Sequence, residues 1–264
     1  AGSSSSSPES PPAQSVSSAR SSAQSSEHRL PSTTARAPPT WTPSERAARR
    51  RDVASGMARY LDIHPVDPQP RLIEQTVRVL RDGGLIAYPT DSCYALGGCT
   101  LDAHDGLERI RRIRQLGKDH NFTLVCADFA QLGQFVLVSN PVFRLVKNAT
   151  PGPYTFILPA TKEVPRRMAH VKKHTVGVRI PPEHRVAHAL VEALGEPIVT
   201  STLLLPGQEQ PPTQGGWEVQ DLLDQQVDVI IDSGEVGVEP TTVIDLSRGE
   251  VEIAREGAGD ISRF

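Results

Sequence analysis

The sequence predicts an α/β protein in which a twisted, mixed β-sheet carries helices on its faces. From residue 71 to residue 231, amphipathic segments with apolar residues three and four positions apart alternate with short apolar runs. Two further apolar runs, 241–246 and 251–255, follow each other as closely as the strands of a hairpin do. The alternation favours helices packed on a sheet, and the hairpin requires some antiparallel strands.

Six segments have an apolar face at helical spacing. The first ends at Gly83 because glycine permits the left-handed conformation that closes a helix, and Gly195 ends the fifth in the same way. Asp102 is suited to cap the second helix, and Pro141 to begin the fourth. The predicted helices are 71–81, 102–116, 128–135, 141–150, 185–194 and 217–225.

Eight short apolar runs predict buried strands. Pro89 ends the first because proline has no N–H for the ladder, and Pro181 ends the fourth. The predicted strands are 85–88, 122–126, 155–158, 175–180, 197–201, 227–231, 241–246 and 251–255.

The first 56 residues differ in composition from the rest of the chain. They are rich in Ser, Ala, Pro and Arg, with almost no aliphatic residues at helical or strand spacing. We therefore predict a disordered extension over 1–56 and one domain over 57–264, with Met57 at the boundary. Two interpretations of the extension stay open: sequence upstream of a true start at Met57, or an Arg- and Ser-rich targeting peptide.

Charge and cysteine content restrict the function classes. Residues 57–264 carry 21 basic and 27 acidic side chains, and an acidic domain is a poor default binder of nucleic acid. Two basic clusters, within 109–118 and 162–179, could override that average locally. The three cysteines form no CxxC pair, which favours free, packed thiols in a reducing, cytoplasmic setting. No stretch is apolar and long enough to predict a membrane span, so no membrane partner is expected.

Hydroxyl side chains and one arginine collect where the predicted strands end. Thr90, Asp91 and Ser92 follow the first strand. In open α/β sheets ligands bind at the carboxyl ends of strands, and hydroxyls with an arginine suit a phosphate or a carboxylate. Ordinary turn formation explains Asp91 and Ser92 equally well. Neither a P-loop nor G-x-G-x-x-G is present. The other residues at such ends are Thr155, Arg179, Ser201 and Thr242.

Several segments, in order between about residue 70 and residue 261, carry a specific resemblance. They read YPTDSCYALG, PGPYTFIL, TVGVRIP, EPIVTSTL, PTTVIDL and REGAG. These segments are similar to the successive motifs of the Sua5/YrdC/YciO family, and RIRQLGKDHNFTLVC resembles its YciO branch. The resemblance implies a YrdC-like fold, a twisted α/β sheet around a large concave, positively lined cavity.

The resemblance also implies a reaction. In the synthase branch, L-threonine, bicarbonate and ATP with Mg²⁺ become threonylcarbamoyl-AMP and pyrophosphate, a step toward threonylcarbamoyladenosine in tRNA. Such an enzyme would be a nucleotidyltransferase. The alternatives are a double-stranded RNA-binding protein of the same fold with weak or no synthase activity, and an enzyme on another adenylate or carbamoyl substrate.

The family motifs assign roles to residues of this chain. Ligand spacing is missing among the histidines, so no protein-bound metal is expected. A structural ion pair is the alternative role for Arg179. The implied residues are Arg114 and Arg179 for catalysis, Thr90, Ser92, Asn121 and Thr155 for substrate, and Ser201, Thr242 and Arg255 for nucleotide.

Three positions depart from the family pattern. Leu116 replaces a basic residue, Leu203 an asparagine and Cys126 a histidine. We expect these changes to remove polar groups from the pocket and to weaken the activity, unless Lys118 and His120 substitute for them. Leu116 and Leu203 are expected in loops or at a strand end, where a polar side chain would stay solvated.

Overall fold

The computed structural model describes residues 57–98, 104–117, 119–182, 185–234 and 236–264. The predicted extension, Cys99, Asp102 and Lys118 therefore lie outside the described residues. The strands are β1 (Arg59–Asp62), β2 (Leu85–Pro89), β3 (Tyr94–Gly98), β4 (Thr123–Val125), β5 (Tyr154–Pro159), β6 (Thr175–Arg179), β7 (Ile198–Thr202), β8 (Val229–Asp232), β9 (Thr242–Asp245) and β10 (Glu252–Arg255). The helices are α1 (Pro70–Arg81), α2 (His104–Arg114), α3 (Phe129–Phe135), α4 (Asn140–Ala149), α5 (Arg185–Leu194) and α6 (Gly216–Leu223), followed by a 3₁₀ turn (Ile261–Arg263).

All ten strands belong to one sheet, in the order β1-β8-β2-β3-β7-β4-β6-β5-β9-β10. The pairs β1/β8, β2/β8, β4/β6 and β5/β9 are parallel, and the others are antiparallel. The predicted mixed α/β sheet is thus confirmed. The late hairpin is also present, as β9 and β10, with an irregular register between Ile253 and Arg255.

The sequence did not predict β1 and β3, and there is a physical reason why each was missed. β3 follows the polar turn at residues 90–92 and ends in two glycines, so its apolar run is only Tyr94–Leu96. Gly97 must be small there, because a Cβ would lie 2.6 Å from the ring carbon Cε1 of Tyr88. β1 lies at the sheet edge, where only Leu61 is buried, so it lacks an apolar face long enough to predict a strand.

Helices cover both faces of the sheet. Along β2, Leu85 and Ala87 belong to one buried cluster, and Ile86 and Tyr88 to another. The first cluster includes core residues of α2, α3, α4 and α6, and the second those of α1 and α5. Burial of each large apolar side chain stabilises the fold by about 1.5–3 kcal/mol. No helix among the described residues is apolar over enough length to cross a bilayer.

Candidate functional site

A cavity of about 770 Å³ lies over six adjacent strands, β3-β7-β4-β6-β5-β9. Its walls also include the end of α2 and the loops that contain residues 119–121, 204–211 and 238–241. None of the predicted site residues lines a smaller cleft of about 280 Å³ beside Asp128 and Glu196. Eight of the nine line the large cavity: Thr90, Ser92, Arg114, Asn121, Thr155, Arg179, Ser201 and Arg255.

Side chains in the turn after β2 bond to the backbone of the turn and also line the cavity. The Thr90 hydroxyl donates to the Cys93 carbonyl at 2.7 Å and accepts from the N–H groups of Ser92 and Cys93, at 3.3 Å each. The Ser92 Oγ lies 3.2 Å from the Thr90 Oγ1 and 3.8 Å from the Cys93 Sγ. The stretch therefore forms a turn, and it also places two hydroxyls and a thiol on the cavity wall. A ligand-binding role for Thr90 and Ser92 stays a prediction.

Arg179, at the end of β6, forms an ion pair with Asp91. Its Nη2 lies 2.6 Å and 2.7 Å from the two carboxylate oxygens. The Arg179 and Asp91 side chains are 7% and 9% exposed, so water screens this pair weakly. Within the described residues, the buried Nε of Arg179 has no hydrogen-bond partner. The ion pair that the sequence left as an alternative is present, on a residue that also lines the cavity.

Arg114 and His120 meet at Ser201. The Arg114 Nη1 donates to the Ser201 Oγ at 2.6 Å, and its Nε donates to the Leu204 carbonyl at 3.1 Å. The Ser201 Oγ is 3.3 Å from the His120 Nε2. Burial, followed by the charges of Arg114 and Arg111, lowers the pKa of His120 to about 4, so the imidazole is neutral at pH 7. Sequence reasoning considered His120 only as a substitute, whereas the structure places it on the cavity wall.

Arg255, at the end of β10, also lines the cavity. Its Nη2 and Nε donate to the Thr241 carbonyl at 2.7 Å and 3.2 Å. The Thr241 Oγ1 is 2.8 Å from the Thr155 Oγ1, so two cavity hydroxyls are joined beside the guanidinium. Burial lowers the pKa of both Arg255 and Arg114, but each keeps its charge at neutral pH.

Thr242 is the predicted site residue that does not line the cavity. Its hydroxyl donates to the Gly259 carbonyl at 2.7 Å and accepts from the N–H groups of Gly257 and Gly259 at 3.0 Å and 2.9 Å. The neighbouring Thr241 and Val243 line the cavity instead. Alternate residues of a strand lie on the same face of the sheet. Applied to β9, this rule could have identified Thr241, rather than Thr242, as the threonine that faces the cavity.

Positions 116, 126 and 203 do not line the cavity. Leu203 and Cys126 are fully buried in the core cluster that contains Leu124 and Val199, and burial raises the pKa of the Cys126 thiol to about 12. Leu116 is half-buried and packs against the same cluster. The expectation that Leu203 occupies a solvated position at the pocket is therefore wrong, since its side chain turns into the core directly after β7 ends.

Among the described residues, basic and acidic side chains line the cavity in equal number, so an anionic ligand is favoured only beside the guanidinium groups. The wall contains Arg114, Arg179 and Arg255, and Asp119, Glu209 and Glu239 lie in its loops. Asn121 also lines it, with its amide oxygen accepting from the Thr175 hydroxyl at 3.2 Å. Buried guanidinium groups with hydroxyl neighbours can bind phosphate or carboxylate oxygens through charge-assisted hydrogen bonds.

A family model described as Sua5_yciO_yrdC, telomere recombination, matches residues 78–257. The chain belongs to the Sua5/YrdC/YciO family. YciO of Escherichia coli strain K12 is 50% identical over 208 residues, which cover 79% of this chain and 100% of that protein. A threonylcarbamoyl-AMP synthase of Chromobacterium violaceum is 34% identical over 187 residues, covering 70% of this chain and 93% of that protein. The resemblance inferred from the motifs is confirmed.

Solved structures of this family share the fold. The crystal structure of E. coli YciO matches with a TM-score of 0.75 over 79% of this chain and 100% of that chain, at 50% identity. The structure of P. abyssi Sua5 complexed with L-threonine matches with a TM-score of 0.68 at 28% identity, over 75% of this chain and 57% of that one. The YrdC-like fold is therefore confirmed.

Proposed function

We propose that this chain is a nucleotidyltransferase of the threonylcarbamoyl-AMP synthase type. It would convert L-threonine, bicarbonate and ATP into threonylcarbamoyl-AMP, pyrophosphate and water, for the modification of tRNA. One observation carries the proposal: eight family-matched residues, distant in sequence, line a single cavity with three guanidinium groups. The L-threonine complex of Sua5 and the synthase relative support the same assignment.

The chemistry demands positioning and charge stabilisation more than covalent participation. Bicarbonate loses water to give CO₂, and the threonine amine adds to the CO₂ carbon and releases a proton. The resulting carbamate oxygen attacks the α-phosphorus while pyrophosphate leaves in line. Arg114 and Arg255 are the groups suited to the phosphates, because both are charged, partly buried and bonded to hydroxyl residues. Arg179 could receive a carboxylate only by sharing its guanidinium with Asp91.

Mg²⁺ would enter with the nucleotide. Among the described residues no group of three or more His, Cys, Asp or Glu side chains could hold an ion. The lack of a protein cage is compatible with Mg²⁺, because proteins often bind this ion through substrate phosphates and only one or two carboxylates. Asp119 and Glu209 line the cavity and could supply those carboxylates. When bound, the ion would neutralise charge on the leaving pyrophosphate.

Replacing Arg114 by methionine tests the proposal. The change removes a charge-assisted bond to a phosphate, worth about 1.5–3 kcal/mol, so pyrophosphate release should slow about 10- to 100-fold. We would measure release with L-threonine, bicarbonate, ATP and Mg²⁺. The matched control is Arg112→Met, on an exposed position of the same helix outside the cavity lining. Equal rates for the two variants, or a folded wild type that releases no pyrophosphate above a no-threonine blank, would contradict the proposal.

A second candidate function, binding of duplex RNA, is favoured by one contact. The Arg111 Nη2 donates to the Arg167 carbonyl at 3.3 Å, which brings the basic helix α2 beside the basic segment 162–173. Arg166 and Lys172 are exposed on that segment. If RNA binds there, a plot of log affinity against log salt concentration should have a slope of about −0.7 to −0.9 for each phosphate contacted. The double variant Arg166→Ala, Lys172→Ala should then show a less steep slope. An unchanged slope in a filter-binding titration would remove this candidate.

A further inference from the structure

β10 has one residue more than the stretch of β9 with which it pairs, and this extra residue decides the direction of Arg255. The pairing with β9 is regular up to Ile253. Arg255 then lies opposite Val243, so Ala254 is the extra residue of a β-bulge. In a regular register Arg255 would lie opposite Thr242, whose side chain does not line the cavity. Because directly opposite residues share a face of the sheet, the bulge is what turns the guanidinium into the cavity.

The Thr242 hydroxyl holds the chain directly after this bulge. Its three hydrogen bonds all go to the backbone of Gly257 and Gly259, at 2.7, 3.0 and 2.9 Å. The Ala258 N–H between them donates to the Pro240 carbonyl at 3.0 Å. The Thr242 side chain is fully buried, so water does not compete for its bonds. Together these bonds fix the path of the chain after β10 against the start of β9.

The guanidinium of Arg255 bonds to the same stretch of backbone. Its Nε and Nη2 donate to the carbonyl of Thr241, the residue between Pro240 and Thr242. The acceptor that orients the guanidinium and the hydroxyl that holds the following turn therefore belong to adjacent residues. Since Thr242 does not line the cavity, any effect of its hydroxyl on a ligand must pass through this backbone.

The far end of the C-terminal segment is attached to the core separately. The Tyr154 hydroxyl donates to the Asp260 carbonyl at 3.1 Å. The Phe264 ring meets the Tyr154 ring edge to face, with 5.2 Å between the ring centres. Loss of the Thr242 hydroxyl should therefore free only the turn around Gly257 and leave the segment on the core.

We propose that Thr242 is a positioning residue, whose hydroxyl keeps β10 in its shifted register and thereby places the Arg255 guanidinium in the cavity. Without the hydroxyl, two N–H groups and one carbonyl of the turn lose their partner, and β10 can slip by one residue. Such a slip moves a side chain to the other face of the sheet, so Arg255 would leave the cavity. The inference rests on the proposed function only in taking ATP as the ligand that Arg255 contacts.

The first test needs no ligand. In two-dimensional ¹H–¹⁵N spectra of the full chain, the Arg255 Nε–H signal is identified by its loss in Arg255→Met. Thr242→Val keeps the shape of the side chain but removes the hydroxyl, so it should move this signal to the position of a solvent-exposed arginine. Thr242→Ser restores the hydroxyl and should return the signal to its wild-type position.

The matched control for these spectra is Thr76→Val. Thr76 is also fully buried, and its hydroxyl donates to the Leu72 carbonyl within α1, outside the cavity lining. This variant should leave the Arg255 signal in place. An Arg255 signal that stays at its wild-type position in Thr242→Val would overturn the inference.

ATP binding, measured by calorimetric titration, gives the second test. Thr242→Val should weaken the binding of ATP about tenfold, whereas Thr242→Ser and Thr76→Val should bind it as the wild type does. In a protein that already carries Arg255→Met, Thr242→Val should have no further effect, because a positioning residue acts through the side chain that it positions. A tenfold loss in both backgrounds would show that Thr242 acts by another route and would overturn the inference.

If Thr242→Val does not fold, hydrogen exchange in the unaltered protein decides. Coupling between two sites is reciprocal, so ATP bound at Arg255 should slow exchange of the Gly257 and Gly259 amides about tenfold. The Gly195 amide at the end of α5, which donates to the Val191 carbonyl outside the cavity lining, should keep its rate. Equal exchange of the two turn amides with and without ATP would overturn the inference. A wild type that binds no ATP would overturn the proposed function instead, and the Arg255 signal would still decide the inference.

Discussion

Arg179→Ala is expected to lower the free energy of unfolding by about 3–5 kcal/mol, because it leaves the Asp91 carboxylate buried without its cation. The pair is direct, with contacts of 2.6 Å and 2.7 Å, and both side chains are at least nine-tenths buried. This expectation differs from that of a purely ligand-binding arginine, whose loss would weaken binding and leave stability unchanged. Urea denaturation at pH 7 gives the measurement.

A rescue variant separates the two roles of Arg179. Adding Asp91→Asn to Arg179→Ala removes the stranded charge, so most of the lost stability should return while L-threonine binding stays weak. The matched control is Arg114→Met, because Arg114 bonds to a hydroxyl and a carbonyl and strands no carboxylate when it is removed. If Arg179→Ala unfolds at the wild-type urea concentration, the ion pair contributes nothing to stability.

Leu203→Asn should also destabilise the protein by about 3–5 kcal/mol. The leucine is fully buried in the core, so the change removes apolar contacts and places an amide where the surroundings are apolar. The same substitution restores the residue that the family pattern has at this position, and it is therefore the natural choice for a restored synthase. Thermal unfolding and pyrophosphate release, measured on one preparation, decide between the two outcomes.

Leu116→Arg provides the comparison for Leu203→Asn. Leu116 is half-buried just after α2 ends, where a long side chain can extend its charged end into water, so the cost should stay within about 1 kcal/mol. A Leu203→Asn protein as stable as the wild type would show that the loop after β7 rearranges to expose position 203. Faster pyrophosphate release by that variant would support a role for the amide at the cavity.

Much of the cavity could be predicted because its residues sit in motifs at strand ends. Each motif places a hydroxyl or a guanidinium where β2, β5, β6, β7 or β10 begins or ends, and the sheet brings those ends together. The pairing of Arg179 with Asp91 could not be identified, because it joins residues 88 positions apart and any acid could have served.

The direction of a side chain was harder to predict than its place along the chain. Thr241 and Thr242 are adjacent and chemically identical, but only the strand register shows which one faces the cavity. The same holds for Leu203, one residue beyond β7, where the strand alternation no longer applies. β3 was not predicted because Gly97, which the Tyr88 ring requires to be small, and the neighbouring Gly98 interrupt the apolar pattern that indicates a strand.

The strand order has a consequence for how this cavity comes into being. β7 lies between β3 and β4, so Gly97 pairs with Thr200 and Thr123 also pairs with Thr200, across long stretches of sequence. Pairing strands that are far apart in sequence closes long loops of chain, and the loss of chain entropy comes before the contacts that compensate for it. Such topologies therefore fold slowly. During synthesis, the walls cannot assemble until residue 202 has left the ribosome, and Arg255 joins them later still. Ligand binding therefore requires that the strands from β3 to β10 have already paired into the sheet.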